Sequence, residues 1–74
     1  MNFGKNLRAK RLERQLTQQK LAEMLGSTKP WISRIETGNI KVPSLRRTMD
    51  IAKALDCELT DLISNEEVNG NDES

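Results

Sequence analysis

The sequence predicts an all-α fold on three observations. Leu, Ala, Lys, Arg, Gln and Glu dominate its 74 residues, and these are good helix formers. Strand-forming aromatics are almost missing: no Tyr, one Phe and one Trp. Apolar residues recur at helical spacing between Ser, Thr and Gly stop signals along most of the chain. A chain of this length holds one domain with a modest core.

The first helix is predicted from Phe3 to about Gln15. Phe3, Leu7 and Arg11 fall at i, i+4 and i+8 on one face. Arg11 is an odd member of an apolar face. Lys5, Arg8 and Arg14 lie elsewhere and suit solvent or phosphate. The second helix runs from Thr17, a good N-cap, to Leu25, with Leu21, Ala22 and Leu25 as its buried stripe. Gly26 follows, where a left-handed residue ends a helix. Thr28 is the next N-cap. Lys29 and Pro30 lie in the first turn of a third helix, where proline costs no hydrogen bond. Ile32 and Ile35 form its core side, and Gly38 is its stop.

Residues 39–43 read as a loop. Ser44 caps a fourth helix that reaches about Leu55, with Leu45, Thr48, Ala52 and Leu55 on one stripe and Met49 and Ile51 flanking it. Thr60 caps a short fifth helix, Asp61 to Ile63. Residues 1–63 form the domain. Residues 64–74, rich in Asn, Glu, Asp, Ser and Gly, are predicted to be a disordered acidic tail.

The net charge of +1 conceals a strong asymmetry. Residues 1–47 sum to +8 and residues 48–74 to −7. Polyanions are drawn to the first part and repelled by the second. Cys57 is the only cysteine and there is no His, which argues against a disulfide, a zinc site or any metal site. Cys57 reads as a small hydrophobe in a reducing, cytoplasmic setting. The residue patterns of nucleophilic, acid–base and phosphate-loop catalysis are not found, so no enzyme activity and no cofactor are expected. No run is long and apolar enough for a membrane span.

The functional signal is the two-residue connection Gly26-Ser27 between the second and third helices, as in a helix-turn-helix. Ala22 is small where the helices would cross. The free face of the third helix is short, polar and basic, as the major groove admits.

These residues resemble the Cro/C1-type (XRE-like) helix-turn-helix family, with a lambda repressor-like bundle. The resemblance is carried by residues 16–26 (LTQQKLAEMLG), by residues 31–38 (WISRIETG), and downstream by Pro43-Ser44-Leu45 and residues 52–55 (AKAL). It implies a compact five-helix bundle whose third helix enters the major groove of double-stranded DNA. Gln18 matches the position that holds a phosphate, with Gln19 beside it. Thr28 matches the cap of the recognition helix and can touch the backbone. Lys29, Ser33 and Arg34 match base-reading positions, Arg34 as a bidentate ligand of guanine. Thr37, Asn39 and Lys41 match the loop that grips the backbone. Arg11 and Glu36 match a partly buried salt bridge, which would explain the arginine on the apolar face.

Several positions depart from the family pattern. Pro30 replaces a polar side chain and cannot donate to a base. Trp31 is large for a groove-facing position; it reads either as a backbone contact through its indole N–H or as packing. Ser27 and Thr48 stand where apolar residues are common and suggest a slightly under-packed core. The resemblance implies a homodimeric transcriptional regulator of phage or mobile-element repressor type on a palindromic operator. A dimer face on the fifth helix and the loop after Gly38 is expected. An antitoxin that binds a protein partner and its own promoter, or a restriction–modification controller, are the alternatives.

Overall fold

The computed structural model describes residues 3–63. The tail expected over residues 64–74 lies outside them. Five helices follow in order: α1 (Phe3–Glu13), α2 (Gln18–Leu25), α3 (Lys29–Thr37), α4 (Leu45–Ala54) and α5 (Leu59–Leu62). The described residues contain helices, turns and loops and no strand, so the fold is all-α. No described helix is long and apolar enough to cross a membrane.

The helix starts follow from short polar side chains. Thr17, Thr28 and Ser44 each accept a first-turn amide with the hydroxyl oxygen, from Lys20, Trp31 and Arg47. The fifth start differs from the sequence expectation. Glu58, not Thr60, is the cap residue, and Asp61 Oδ2 accepts its backbone N–H at 2.9 Å. The i, i+3 reach of a carboxylate back to the cap amide therefore places the start two residues earlier.

The helix ends show a feature that glycine-based reading misses. Gly26 closes α2 in the left-handed region, φ 66°. Its partners are Gly26 N–H to Glu23 O and Ser27 N–H to Ala22 O, the paired bonds of a Schellman motif. The same pair of bonds closes α1 through Gln15 (φ 60°) and α4 through Asp56 (φ 53°). Neither is glycine. α1 thus stops at Glu13, short of the expected Gln15, because Gln15 has already turned left-handed.

Helix α3 is packed against both α1 and α2; α4 lies against α2; α5 closes the bundle against α1 and α4. The fully buried side chains are Phe3 and Leu7 from α1, Leu21 and Ala22 from α2, Ile32 and Ile35 from α3, and Ile51, Leu55 and Leu62 from the C-terminal part. Leu25, expected in the stripe, is half-buried at the margin, as are Trp31 and Cys57. Burial, and secondarily the charge of Asp61, push the Cys57 thiol above its ordinary pKa.

The α4 stripe is corrected. It runs through Thr48, Ile51, Ala52 and Leu55, at i, i+3, i+4 and i+7. Leu45 is 67% exposed and Met49 49% exposed, so the buried stripe begins one turn later than expected. Thr48 is almost completely buried, and its hydroxyl is turned back to Ser44 O (2.9 Å) and Pro43 O (3.2 Å). A buried hydroxyl held this way carries no unpaired polar penalty.

Candidate nucleic-acid interface

Helix α3 has two distinct sides. At about 100° per residue, Ile35 and Ile32 occupy one side and hold it on α1 and α2. Lys29, Ser33, Thr37, Pro30 and Arg34 fall in that angular order over about 140° of the opposite side. Of these, Lys29, Pro30, Arg34 and Thr37 are exposed and Ser33 is half-buried. Neither the Lys29 nor the Arg34 side chain has a hydrogen bond or ion pair among the described residues. Two cations therefore stand on an open polar ridge about 12 Å long, a shape the major groove admits.

Trp31 sits at the edge of this ridge rather than on it. It is half-buried and packed against the core, and the Arg47 guanidinium lies 4.9 Å from its ring centroid. This cation–π stack joins the first turn of α3 to the first turn of α4. The packing alternative considered for Trp31 thus has a physical basis, and no sequence signal singled out Arg47.

Behind the ridge lies a buried polar cluster centred on Glu36, whose side chain is 3% exposed. Arg11 Nε donates to Oε2 at 2.7 Å and Arg11 Nη2 to Oε1 at 3.1 Å, a bidentate geometry. Arg11 Nη1 donates to Leu16 O at 2.7 Å. Gln18 Nε2 also donates to Glu36 Oε1, at 3.0 Å, and Arg8 Nη1 stands 4.0 Å from that oxygen. One carboxylate on α3 therefore ties together α1, the turn after it, and the start of α2. The arginine on the apolar face of α1 is there to meet it.

The backbone-gripping candidates fall around the ridge. Gln18 and Gln19 open α2, and their first-turn N–H groups have no acceptor among the described residues, as expected at a helix start. The Gln18 side chain is half-buried and engaged with Glu36, which leaves one amide hydrogen available. Gln19 Nε2 donates to Glu23 Oε2 at 3.1 Å on the surface. The Thr28 oxygen accepts Trp31 N–H, so its own hydrogen points elsewhere. Thr37 Oγ1 donates to Arg34 O at 3.3 Å. Asn39 and Lys41 are exposed in the following loop.

One basic residue is reassigned. Arg14 reads from the sequence as suited to solvent or phosphate. Its Nε donates to Leu55 O (2.8 Å) and its Nη2 to Asp56 O (2.7 Å). Arg14 thus caps the C-terminus of α4, where cationic donors are favoured. Gly4 is a second position that sequence reading passed over. A Cβ there would run into the carbonyl oxygen of Ile35 and lie 3.0 Å from that of Glu36. Gly4 is therefore what lets α1 meet the last turn of α3.

The sequence profile of the helix-turn-helix family matches residues 7–62. Comparison with curated proteins and with solved structures gives no significant match. With three-quarters of the chain matched, an all-helical bundle, and a tight α2–α3 turn behind an open basic ridge, the chain belongs to the Cro/C1-type helix-turn-helix family of DNA-binding transcription regulators.

Proposed function

We propose that this protein binds a specific double-stranded DNA sequence as a homodimer, with α3 in the major groove, and represses transcription there. The observation that carries the reading is the exposed ridge of α3 with two cations, Lys29 and Arg34, that have no ion pair among the described residues, held in place from behind by Ile32, Ile35 and Glu36. Lys29, Ser33 and Arg34 are the base-reading side chains. Arg34 has the fork of donors that fits guanine O6 and N7. Pro30 offers only apolar contact, as to a thymine methyl. Gln18, Gln19, Thr28, Thr37, Asn39 and Lys41 face the sugar–phosphate strands and set the register without reading sequence, while Trp31, expected as a further backbone contact, is packed on the core and holds the first turn of α3 to α4. Gln18 also couples the phosphate grip to α3 through Glu36.

A single recognition helix reads too few base pairs for genomic specificity, which favours two copies on a palindrome with half-sites about 34 Å apart. The dimer face is expected on α5 and the loop after Gly38. Leu62 is buried in the bundle, whereas Val42, Leu45 and Met49 leave apolar surface exposed on the loop after α3 and on α4.

Selection of bound duplexes from a random pool, followed by titration of Arg34→Ala on the selected site, tests the reading. The parent should select a palindrome. Arg34→Ala should lose about 5- to 150-fold in preference for one base pair in each half-site, the equivalent of about 1–3 kcal/mol. A pool that shows no enriched sequence, or a variant with the parent's preference at every position, would refute it.

A further inference from the structure

We infer that the cleft between the start of α1 and the end of α3 receives one phosphate of the duplex backbone, held between Lys5 and Lys41. This rests on the reading that α3 enters the groove. It adds α1, through Lys5, to the DNA-contacting surface.

The cleft has a volume of about 230 Å³ and is lined by Gly4, Lys5, Glu36, Thr37, Gly38 and Lys41. Liquid water takes about 30 Å³ per molecule, so a tetrahedral anion fits. Lys5 reaches the cleft from the first turn of α1, and Lys41 from the loop after α3. Both are exposed, and neither makes an ion pair with a described carboxylate. The acid on the cleft wall does not neutralise them. Both oxygens of Glu36 are taken by Arg11 and Gln18, and its side chain is 3% exposed. Gly38 has a left-handed backbone, φ 92°, with nothing within 4 Å of where a Cβ would stand. The backbone there is open to close approach by a ligand.

Two lysines lining one concavity with no carboxylate paired to them among the described residues make it a favourable place for an anion. The position decides which anion. Thr37 belongs both to the cleft and to the α3 ridge, so the cleft opens at the C-terminal end of that ridge. Lys29 lies about 12 Å away along the axis at the other end, comparable to the width of the major groove. A helix lying in the groove brings both ends to its phosphate borders. The first turn of α2 and Thr28 grip near one end of α3; Lys5 and Lys41 grip at the other.

The experiment uses the full chain, its selected duplex and an unrelated duplex, titrated between 50 and 200 mM NaCl. The variants are Lys5→Gln, Lys41→Gln, the double variant, and Arg34→Ala as the base-reading control. Each lysine variant should bind both duplexes more weakly by the same factor, with unchanged base preference and the parent's melting temperature. The slope of log affinity against log salt should fall by about 0.9 in the double variant. That makes its affinity about 3.5-fold less sensitive to the fourfold change in salt. The two losses should fall short of multiplying, because both lysines serve one phosphate. Parent-like affinity and slope for Lys5→Gln, beside a lost base preference for Arg34→Ala, would overturn the cleft and leave the groove reading intact. Losses that multiply fully would place the lysines on separate phosphates and also overturn it. A parent that binds neither duplex would overturn both.

Discussion

Replacing Glu36 by alanine should destabilise this domain severely while leaving its base preference nearly unchanged. Glu36 is on the recognition helix, yet its carboxylate faces inward and is 3% exposed, against a 7% exposed Arg11 side chain. Alanine would leave the Arg11 guanidinium with one acceptor, Leu16 O, and the Gln18 amide without Glu36. Breaking a buried pair in this way costs about 3–5 kcal/mol. The whole stability of a small domain is about 5–15 kcal/mol, so a large fraction is at stake. For a domain of this size each kcal/mol moves the melting temperature by about 4–8 °C, which gives a drop of at least about 12 °C. The assay is thermal unfolding followed by circular dichroism at 222 nm, with base preference measured below the transition. A second variant guards against an alternative cause. Arg11→Met combined with Glu36→Leu removes both charges, and apolar replacement of a buried pair is often close to neutral. The double variant should therefore melt higher than Glu36→Ala alone. An unchanged melting temperature for Glu36→Ala, or a double variant that loses the sum of the two single losses, refutes the argument.

Three further predictions concern stability. Gly4→Ala forces a Cβ onto the α3 carbonyls of Ile35 and Glu36 and should cost about 1–3 kcal/mol; a urea midpoint equal to the parent's would show that α1 can move away freely. Arg14→Gln removes both donors from the end of α4 and should cost about 1–3 kcal/mol, with faster amide exchange at residues 55–57; exchange unchanged there would mean that solvent serves those carbonyls as well. Gln15→Gly relieves a left-handed non-glycine at φ 60° and should raise stability by up to about 1 kcal/mol; a lower melting temperature would contradict the strain reading.

Much of this molecule is local chemistry and was legible in the chain. Thr17, Thr28 and Ser44 start helices because their hydroxyls satisfy nearby amides within three residues. Gly26 and Gly38 end helices because they enter left-handed backbone at little cost. The spacing of Ile32 and Ile35 placed the core side of α3, and therefore its free side, with no reference to other helices. The α2–α3 connection and the polar ridge were thus determined by the sequence alone.

Tertiary structure decided what local rules cannot reach. Gln15 and Asp56 end helices against their intrinsic preference, since the bundle requires the chain to turn there. Leu45 and Ile51 exchange roles because burial depends on which neighbouring helix covers each turn of α4. Gly4 is needed only because Ile35 O arrives from a distant part of the chain, and Arg14 becomes a cap only because the end of α4 lies beside the end of α1. The shared lining of one cleft by Lys5 and Lys41, and the stacking of Arg47 on Trp31, are of the same kind. Local hydrogen bonds and helical periodicity act over three to five residues, so they set elements and faces; contacts between residues tens of positions apart exist only once the faces have packed.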